Sequence, residues 1–307
     1  MASILRTDNI DFQKYYAETE PSRAVFEKSD YEEDVAEFIA NPGIRKGKHT
    51  PWDLAGEYIG LREGETSCWA GVNGHGKSLL VGQVMLTLAE QGEKILICSF
   101  EMAPKRTLLR MMMQAIGGDT LTTVNQKKFW DWKRDQVYVL DHHGMIDPST
   151  IIAICRYAIK EKGVKHIVID NLMRCIPKET DYDQQKDFVT KICALSHDTG
   201  VHMHLVHHLR KGEKESSEPD KSDIKGTGSI ADQVDNIFMV WRNKDKENET
   251  ANNRLPDNSI PDAALLCRKQ RNGEWEGKIA LWFDPKSSQF LDSSFADPHK
   301  YLGDLEM

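Results

Sequence analysis

The sequence predicts an α/β protein: one domain with a mainly parallel central sheet, helices on both faces, a short N-terminal helical arm and a C-terminal β-hairpin extension. Three observations carry this expectation. Near-continuous apolar runs of strand length recur at 65–70, 94–100, 137–140, 166–170 and 201–206, the pattern of strands buried on both faces. Between them lie segments with apolar residues at helical spacing, at 78–91, 105–116, 149–162 and 183–199, each followed by glycine. The last two strands, 263–268 and 277–283, are joined through Asn272-Gly273, a strong hairpin signal.

In chain order, residues 1–51 are polar and rich in acid. One amphipathic piece, 31–40, presents Val35, Phe38 and Ile39 on one face and is ended by Asn41-Pro42-Gly43. It reads equally as a helix docked on the main domain or on a neighbouring copy, and as a loose arm. The main domain is expected over 52–292. Its strand 65–70 enters a glycine-rich turn and helix 78–91, and strand 94–100 ends at Glu101 ahead of helix 105–116. A helical piece at 125–134 precedes strand 137–140; helix 149–162 precedes strand 166–170, which ends in Asp170. Helix 183–199 leads to strand 201–206, a long polar loop at 210–228 and strand 236–241. Residues 243–261 are charged and Asn-rich and read as a mobile segment. The tail 293–307 has little apolar content and reads as disordered.

Composition bounds the function. Among 307 residues, 48 acidic against 40 basic give a net charge of −8, which argues against broad nucleic-acid binding by the whole surface but leaves room for a local basic loop. Six scattered cysteines, with no C-x-x-C pair, read as free thiols in a reducing cytoplasm. No apolar run approaches the ~20 residues that span a bilayer, and the N-terminus lacks signal- or transit-peptide character. A cytoplasmic protein without a membrane partner is expected.

The chemistry centres on Gly71-Val72-Asn73-Gly74-His75-Gly76-Lys77-Ser78, a full match to the phosphate-loop pattern between a strand and a helix. Glycine at 71, 74 and 76 lets successive backbone N–H groups approach a polyphosphate at a helix N-terminus. Lys77 would reach the β and γ phosphates of ATP, and Ser78 would place its hydroxyl on Mg²⁺. Asp170, at a strand end, suits the second carrier of that metal. Glu101, at the end of another strand, is a candidate general base for water, or alternatively a carboxylate stabilising the next helix. His208, just past strand 201–206, is placed to sense the γ-phosphate. His202, His204, His207 and His208 lack a completing cysteine or carboxylate, which disfavours a structural zinc site. Arg210, Lys211, Lys214, Lys225, Gly226 and Gly228 form a candidate DNA-binding loop; the bland reading is a solvated run in which acids alternate with the lysines. Lys269 and Arg271, two residues apart at the start of the hairpin, are candidate fingers into a neighbour's nucleotide site, or ordinary surface cations.

Taken together, GVNGHGKS, the strand ending in Glu101, IVIDN, LVHHLRK, the block from Asp223 to Arg242 and RKQRNG resemble the C-terminal motor domain of DnaB-like replicative helicases. The resemblance covers roughly 52–291. It implies a RecA-like core assembled as a homo-hexameric ring with ATP and Mg²⁺ between subunits. Asn73 and His75 fall within the phosphate loop, and Arg242 matches an interface arginine beside the nucleotide. Lys269 and Arg271 match trans-acting cations. The loop 210–228 would face single-stranded DNA in the channel, with translocation 5′ to 3′, and the helix at 31–40 would dock on the adjacent subunit. Ala231 departs from an arginine of the phage branch, and no primase domain is expected before the motor, so a primase or loader would act in trans. The competing readings are a RecA-like ATPase serving as recombinase, loader or regulatory factor without unwinding, and a monomeric nucleotide kinase.

Overall fold

A computed structural model describes residues 3–16, 32–132, 134–176, 178, 180–209, 217–224, 228–251 and 257–303. Its strands are β1 (Ser3–Leu5), β2 (Thr66–Gly71), β3 (Ile95–Ser99), β4 (Val137–Leu140), β5 (His166–Asp170), β6 (His202–His208), β7 (Asn236–Arg242), β8 (Ala263–Gln270), β9 (Gly277–Asp284) and β10 (Gln289–Leu291). They form a ten-stranded sheet in the order β1-β4-β3-β5-β6-β2-β7-β8-β9-β10. Every pairing from β1 to β7 is parallel, and β8, β9 and β10 extend the sheet antiparallel. This is the RecA-like arrangement expected, with the C-terminal hairpin in place.

The described helices are α1 (Phe12–Tyr16), α2 (Glu32–Ala40), α3 (Pro42–Lys46), α4 (Asp53–Tyr58), α5 (Lys77–Glu90), α6 (Pro104–Ile116), α7 (Thr123–Asp131), α8 (Pro148–Tyr157), α9 (Tyr182–Thr199), α10 (Gly228–Gln233) and α11 (Lys244–Ala251). None is long and apolar enough to cross a membrane.

Strand alternation divides the core into two layers. Cys68, Ala70, Leu96, Cys98, Ile167, Ile169, Ile237 and Met239 pack with α8 and α9 on one face. Trp69, Ile95, Ile97, Val168, Phe238 and Val240 pack with α5, α6 and α7 on the other. Each fully buried large side chain of these layers contributes roughly 1.5–3 kcal/mol. Register aligns the carboxyl ends: Ser99 pairs with Asp170, Asp170 with Val206, and Gly71 with both His208 and Val240. Side chains following these strands therefore share one rim.

Three expectations are corrected. Residues 3–16 are part of the fold: β1 pairs with the edge strand β4, and Leu5, Ile10 and Tyr15 are buried. Tyr15 meets Tyr157 edge-on and donates a hydrogen bond to Glu161. The segment 243–261 contains helix α11, held by a buried Lys246 that pairs with Asp262 at 2.7 Å and donates to the Ile260 carbonyl at 2.6 Å. The tail expected to be disordered packs back as far as it is described. Tyr301 is buried with its hydroxyl 2.8 Å from that of Thr87, and Gln289 bonds the backbone of His299.

Candidate functional site

β2 delivers the chain into the glycine loop so closely against β7 that a Cβ on Gly71 would lie 2.8 Å from the Val240 carbonyl oxygen and 3.0 Å from Lys77 Cγ. Gly74 (φ 83°) and Gly76 (φ 88°) take the left-handed conformation that glycine tolerates without strain. Gly76 caps α5, so the helix starts at Lys77 with its N–H groups directed at the loop. Lys77 is buried, and its Nζ donates to the carbonyls of Gly71 (2.8 Å) and Val72 (3.1 Å). Burial pulls its pKa down, opposed by the carboxylates of Asp170 and Glu101. Asn73 is exposed at the loop's tip.

Asp170 ends β5 below the loop. Burial raises its pKa, opposed first by a hydrogen bond from Ser78. A hydroxyl and a carboxylate in contact beside a phosphate loop form an all-oxygen donor pair, which suits Mg²⁺, a hard cation held through few protein ligands.

Glu101 lies beyond β3 on the same rim, half exposed. Asn171 Nδ2 donates to its Oε1 at 2.6 Å and also lies 2.6 Å from His208 Nε2. An amide has two hydrogens and can serve both, with Nε2 as acceptor. His208 Nε2 is 3.6 Å from Glu101 Oε1 and Arg174 Nε is 3.9 Å away. The His208 contact, ahead of the opposing effect of burial, holds the Glu101 carboxyl below the usual range. His208 is the last residue of β6, so the strand runs on past the apolar stretch that marks it in the sequence.

Asn171 is the residue sequence reasoning missed. It is 1 % exposed, and its Oδ1 also accepts from Arg174 N at 3.2 Å, so one side chain joins Glu101, His208 and the turn after β5. The signal that could have found it is an amide directly after a strand-terminal carboxylate in the middle of a parallel sheet.

Arg242 lies beside its own phosphate loop. Its Nη1 donates to Gly74 O at 3.2 Å and its Nη2 pairs with Glu247 at 2.9 Å, while its backbone N–H donates to Nδ1 of the buried His75 at 3.3 Å. A cavity of about 720 Å³ opens here, lined by Gly74, His75, Arg242, Glu247, Asp262 and Phe290 among others.

Lys269 and Arg271 are not brought to this rim. Lys269 lies within β8 rather than at the hairpin tip, paired with Ile237 at the opposite end of the sheet. That is three residues below the Gly71–Val240 level, roughly 10 Å along the strands. Lys269 Nζ donates to the carbonyls of Ala231, Asp232 and Val234 at 2.8, 3.1 and 2.7 Å. Arg271 pairs with buried Asp235 at 2.9 Å and donates to the carbonyls of Asp232 and Gln233. Of the candidate DNA-binding residues, Gly228 begins α10, whereas Arg210, Lys211, Lys214, Lys225 and Gly226 lie outside the described residues.

The histidines divide. His202 and His204 face inward with His166: Trp69 Nε1 donates to His204 Nδ1 (3.1 Å), His204 Nε2 meets His166 Nδ1 (3.2 Å), and His202 bridges Ser67 Oγ and the Arg62 carbonyl. Burial, then the neighbouring imidazoles, pushes the pKa values of His166 and His204 well down. Among the described residues no cluster of three or more metal-ligating side chains is present.

The sequence model of the DnaB-like helicase C-terminal domain family matches residues 52–292. Curated relatives include the replicative DNA helicase DnaC of Bacillus subtilis (strain 168), 25% identical over 218 residues, which span 65% of this chain and 46% of that protein. The replicative DNA helicase DnaB of Geobacillus stearothermophilus is 25% identical over 221 residues, with the same shares of 65% and 46%. The replicative DNA helicase DnaB of Mycoplasma pneumoniae is 25% identical over 254 residues, 75% of this chain and 53% of that one. The chain thus spans about half the length of the curated relatives it matches. Among solved structures, an ATPase domain determined on its own superposes with a TM-score of 0.72 at 15% identity, covering 87% of this chain and 99% of that one. A DnaB-like replicative helicase, solved to show its interactions with primase, gives 0.68 at 15% identity, covering 87% of this chain and 67% of that one. At 15% identity these two likenesses show the fold.

Proposed function

Because the chain belongs to the DnaB-like helicase C-terminal domain family, we propose that it is an ATP-hydrolysing motor that assembles as a homo-hexameric ring and unwinds duplex DNA while moving 5′ to 3′ on a single strand. The observation that carries the reading is the split between two sets of groups. Lys77, Ser78, Asp170, Glu101, Asn171 and His208 share one rim of the sheet, while Lys269 and Arg271 lie at the other end, out of reach of their own phosphate loop. A site that lacks its cations in one chain is completed by a neighbour.

On binding ATP, Lys77 exchanges the carbonyls of Gly71 and Val72 for the β and γ phosphates, and the loop N–H groups hold the remaining oxygens. Ser78 and Asp170 would hold Mg²⁺, which neutralises charge on the β and γ oxygens when bound. Glu101, kept ionised, takes the proton of the attacking water, and Asn171 fixes the carboxylate's orientation. His208, tied through Asn171 to Glu101, responds to loss of the γ-phosphate and passes the change to the 210–228 segment, which contacts single-stranded DNA. Arg242, released from Gly74 and Glu247, faces the nucleotide at the subunit boundary. Residues 1–51 precede the motor as an arm whose α2 docks on the adjacent subunit, and 293–307 form a tail. The protein works in the cytoplasm, with a primase or loader as partner.

The test is steady-state ATP hydrolysis with and without single-stranded DNA across protein concentration. The expected result is DNA stimulation and a specific activity that rises steeply with concentration. Arg271→Ala should abolish turnover while nucleotide binding persists. Flat, DNA-independent hydrolysis would favour a regulatory RecA-like ATPase, and normal turnover in Arg271→Ala would remove the interface role.

A further inference from the structure

The polar segment after β6 does not stand free of the hairpin. Leu209 and Ile224 form an antiparallel bridge that closes its base. Residues 217–224, with a capped turn at Lys221–Asp223, lie against β8 and β9. Arg268 donates to the Pro219 carbonyl through Nε (3.3 Å) and Nη2 (3.2 Å) and lies 3.9 Å from Asp220. Lys221 Nζ donates back to the Arg268 carbonyl at 3.4 Å, and Lys278 of β9 pairs with Glu218.

Strand β8 departs from regular pairing at this point. Cys267 pairs with Phe238 and Lys269 with Ile237, leaving Arg268 as the extra residue of a bulge. Strict alternation would send Arg268 and Lys269 to opposite faces; a bulge re-aims them. As a result Arg268 grips the segment on the near side of the 225–227 stretch while Lys269 and Arg271 grip α10 on its far side.

We infer that Arg268 is a positioning residue that couples the DNA-contacting segment to the trans-acting cations Lys269 and Arg271 on the same strand. The inference rests on the proposed motor function. Movement of the segment on DNA shifts β8 through Arg268 and Lys278, and so sets how the two cations meet the neighbouring subunit's nucleotide. Contact alone does not establish coupling; an energetic readout does.

The experiment measures ATP hydrolysis with and without single-stranded DNA, together with DNA affinity by fluorescence anisotropy, for wild type, Arg268→Gln, Lys278→Glu and the swapped pair Glu218→Lys/Lys278→Glu. Arg268→Gln and Lys278→Glu should keep DNA-free hydrolysis and DNA binding while the DNA stimulation falls roughly fivefold or more, the scale of an ordinary coupling energy. The swapped pair should regain stimulation. Wild-type stimulation in both single variants overturns the inference and leaves the motor function standing. Parallel loss of DNA-free hydrolysis, or no recovery in the swapped pair, also overturns it, since damage to the fold then accounts for the loss. Wild-type protein that ignores DNA overturns the motor function and the inference with it.

Discussion

Glu101→Gln is expected to lower kcat by about 10²-fold or more, the contribution typical of a general base, with nucleotide affinity retained in a binding titration. The pH profile carries a sharper expectation. A carboxyl whose pKa is held down is ionised at all pH values above that lowered value, so the base form of Glu101 persists further into acid than a free glutamate would allow. Removing its principal partner by His208→Leu should move the acid limb of kcat/KM upward, toward the ordinary carboxylate range. Asp170 works in the other direction. Its folded pKa is raised by burial, so the fold penalises the charged form, and that cost is present at neutral pH and disappears only below the unfolded value. Asp170→Asn should therefore raise the melting temperature of the nucleotide-free protein, by about 2–4 °C per kcal/mol recovered, while hydrolysis is lost. A lower melting temperature would show that the Ser78 hydrogen bond outweighs the burial.

At the level of elements, the two chain ends hold the sheet from opposite sides. Removing residues 1–16 deletes buried Leu5, Ile10 and Tyr15 and bares the β4 edge, which invites pairing with other chains. An earlier urea midpoint and concentration-dependent aggregation are expected, and an unchanged midpoint would mean β1 adds nothing. Tyr301→Phe, which removes the hydroxyl from Thr87, should cost about 1 kcal/mol by chemical denaturation. Neither end was legible in the sequence, and the reason is physical. A three-residue strand carries too few positions for a period, and Tyr301 is a lone aromatic whose partner is more than two hundred residues away. The central strands were legible because burial on both faces demands uninterrupted apolar residues, as in Ile167-Val168-Ile169. The phosphate loop was legible because backbone approach to phosphate requires glycine at fixed positions. Asn171 was not, since its role comes from Glu101 and His208, which register alone brings within 2.6 Å of one amide.

For the whole molecule, the separation between the phosphate rim and the cations of β8 makes catalysis a property of the assembly. Specific activity should therefore fall on dilution, and mixing Arg271→Ala with Lys77→Ala subunits should restore partial turnover at mixed boundaries. No recovery in mixtures would place both residues in one subunit's site. The same sheet order has a kinetic side. The strand that carries the phosphate loop, β2, is made early, but its two neighbours, β6 and β7, are not complete until residue 242. At ordinary rates of synthesis this leaves β2 unpaired for roughly ten to thirty seconds. A nascent chain thus exposes an apolar strand with both edges open and has no formed nucleotide cradle. It depends on chaperone shielding during that interval, and it cannot fire as an ATPase before nearly the entire polypeptide has left the ribosome.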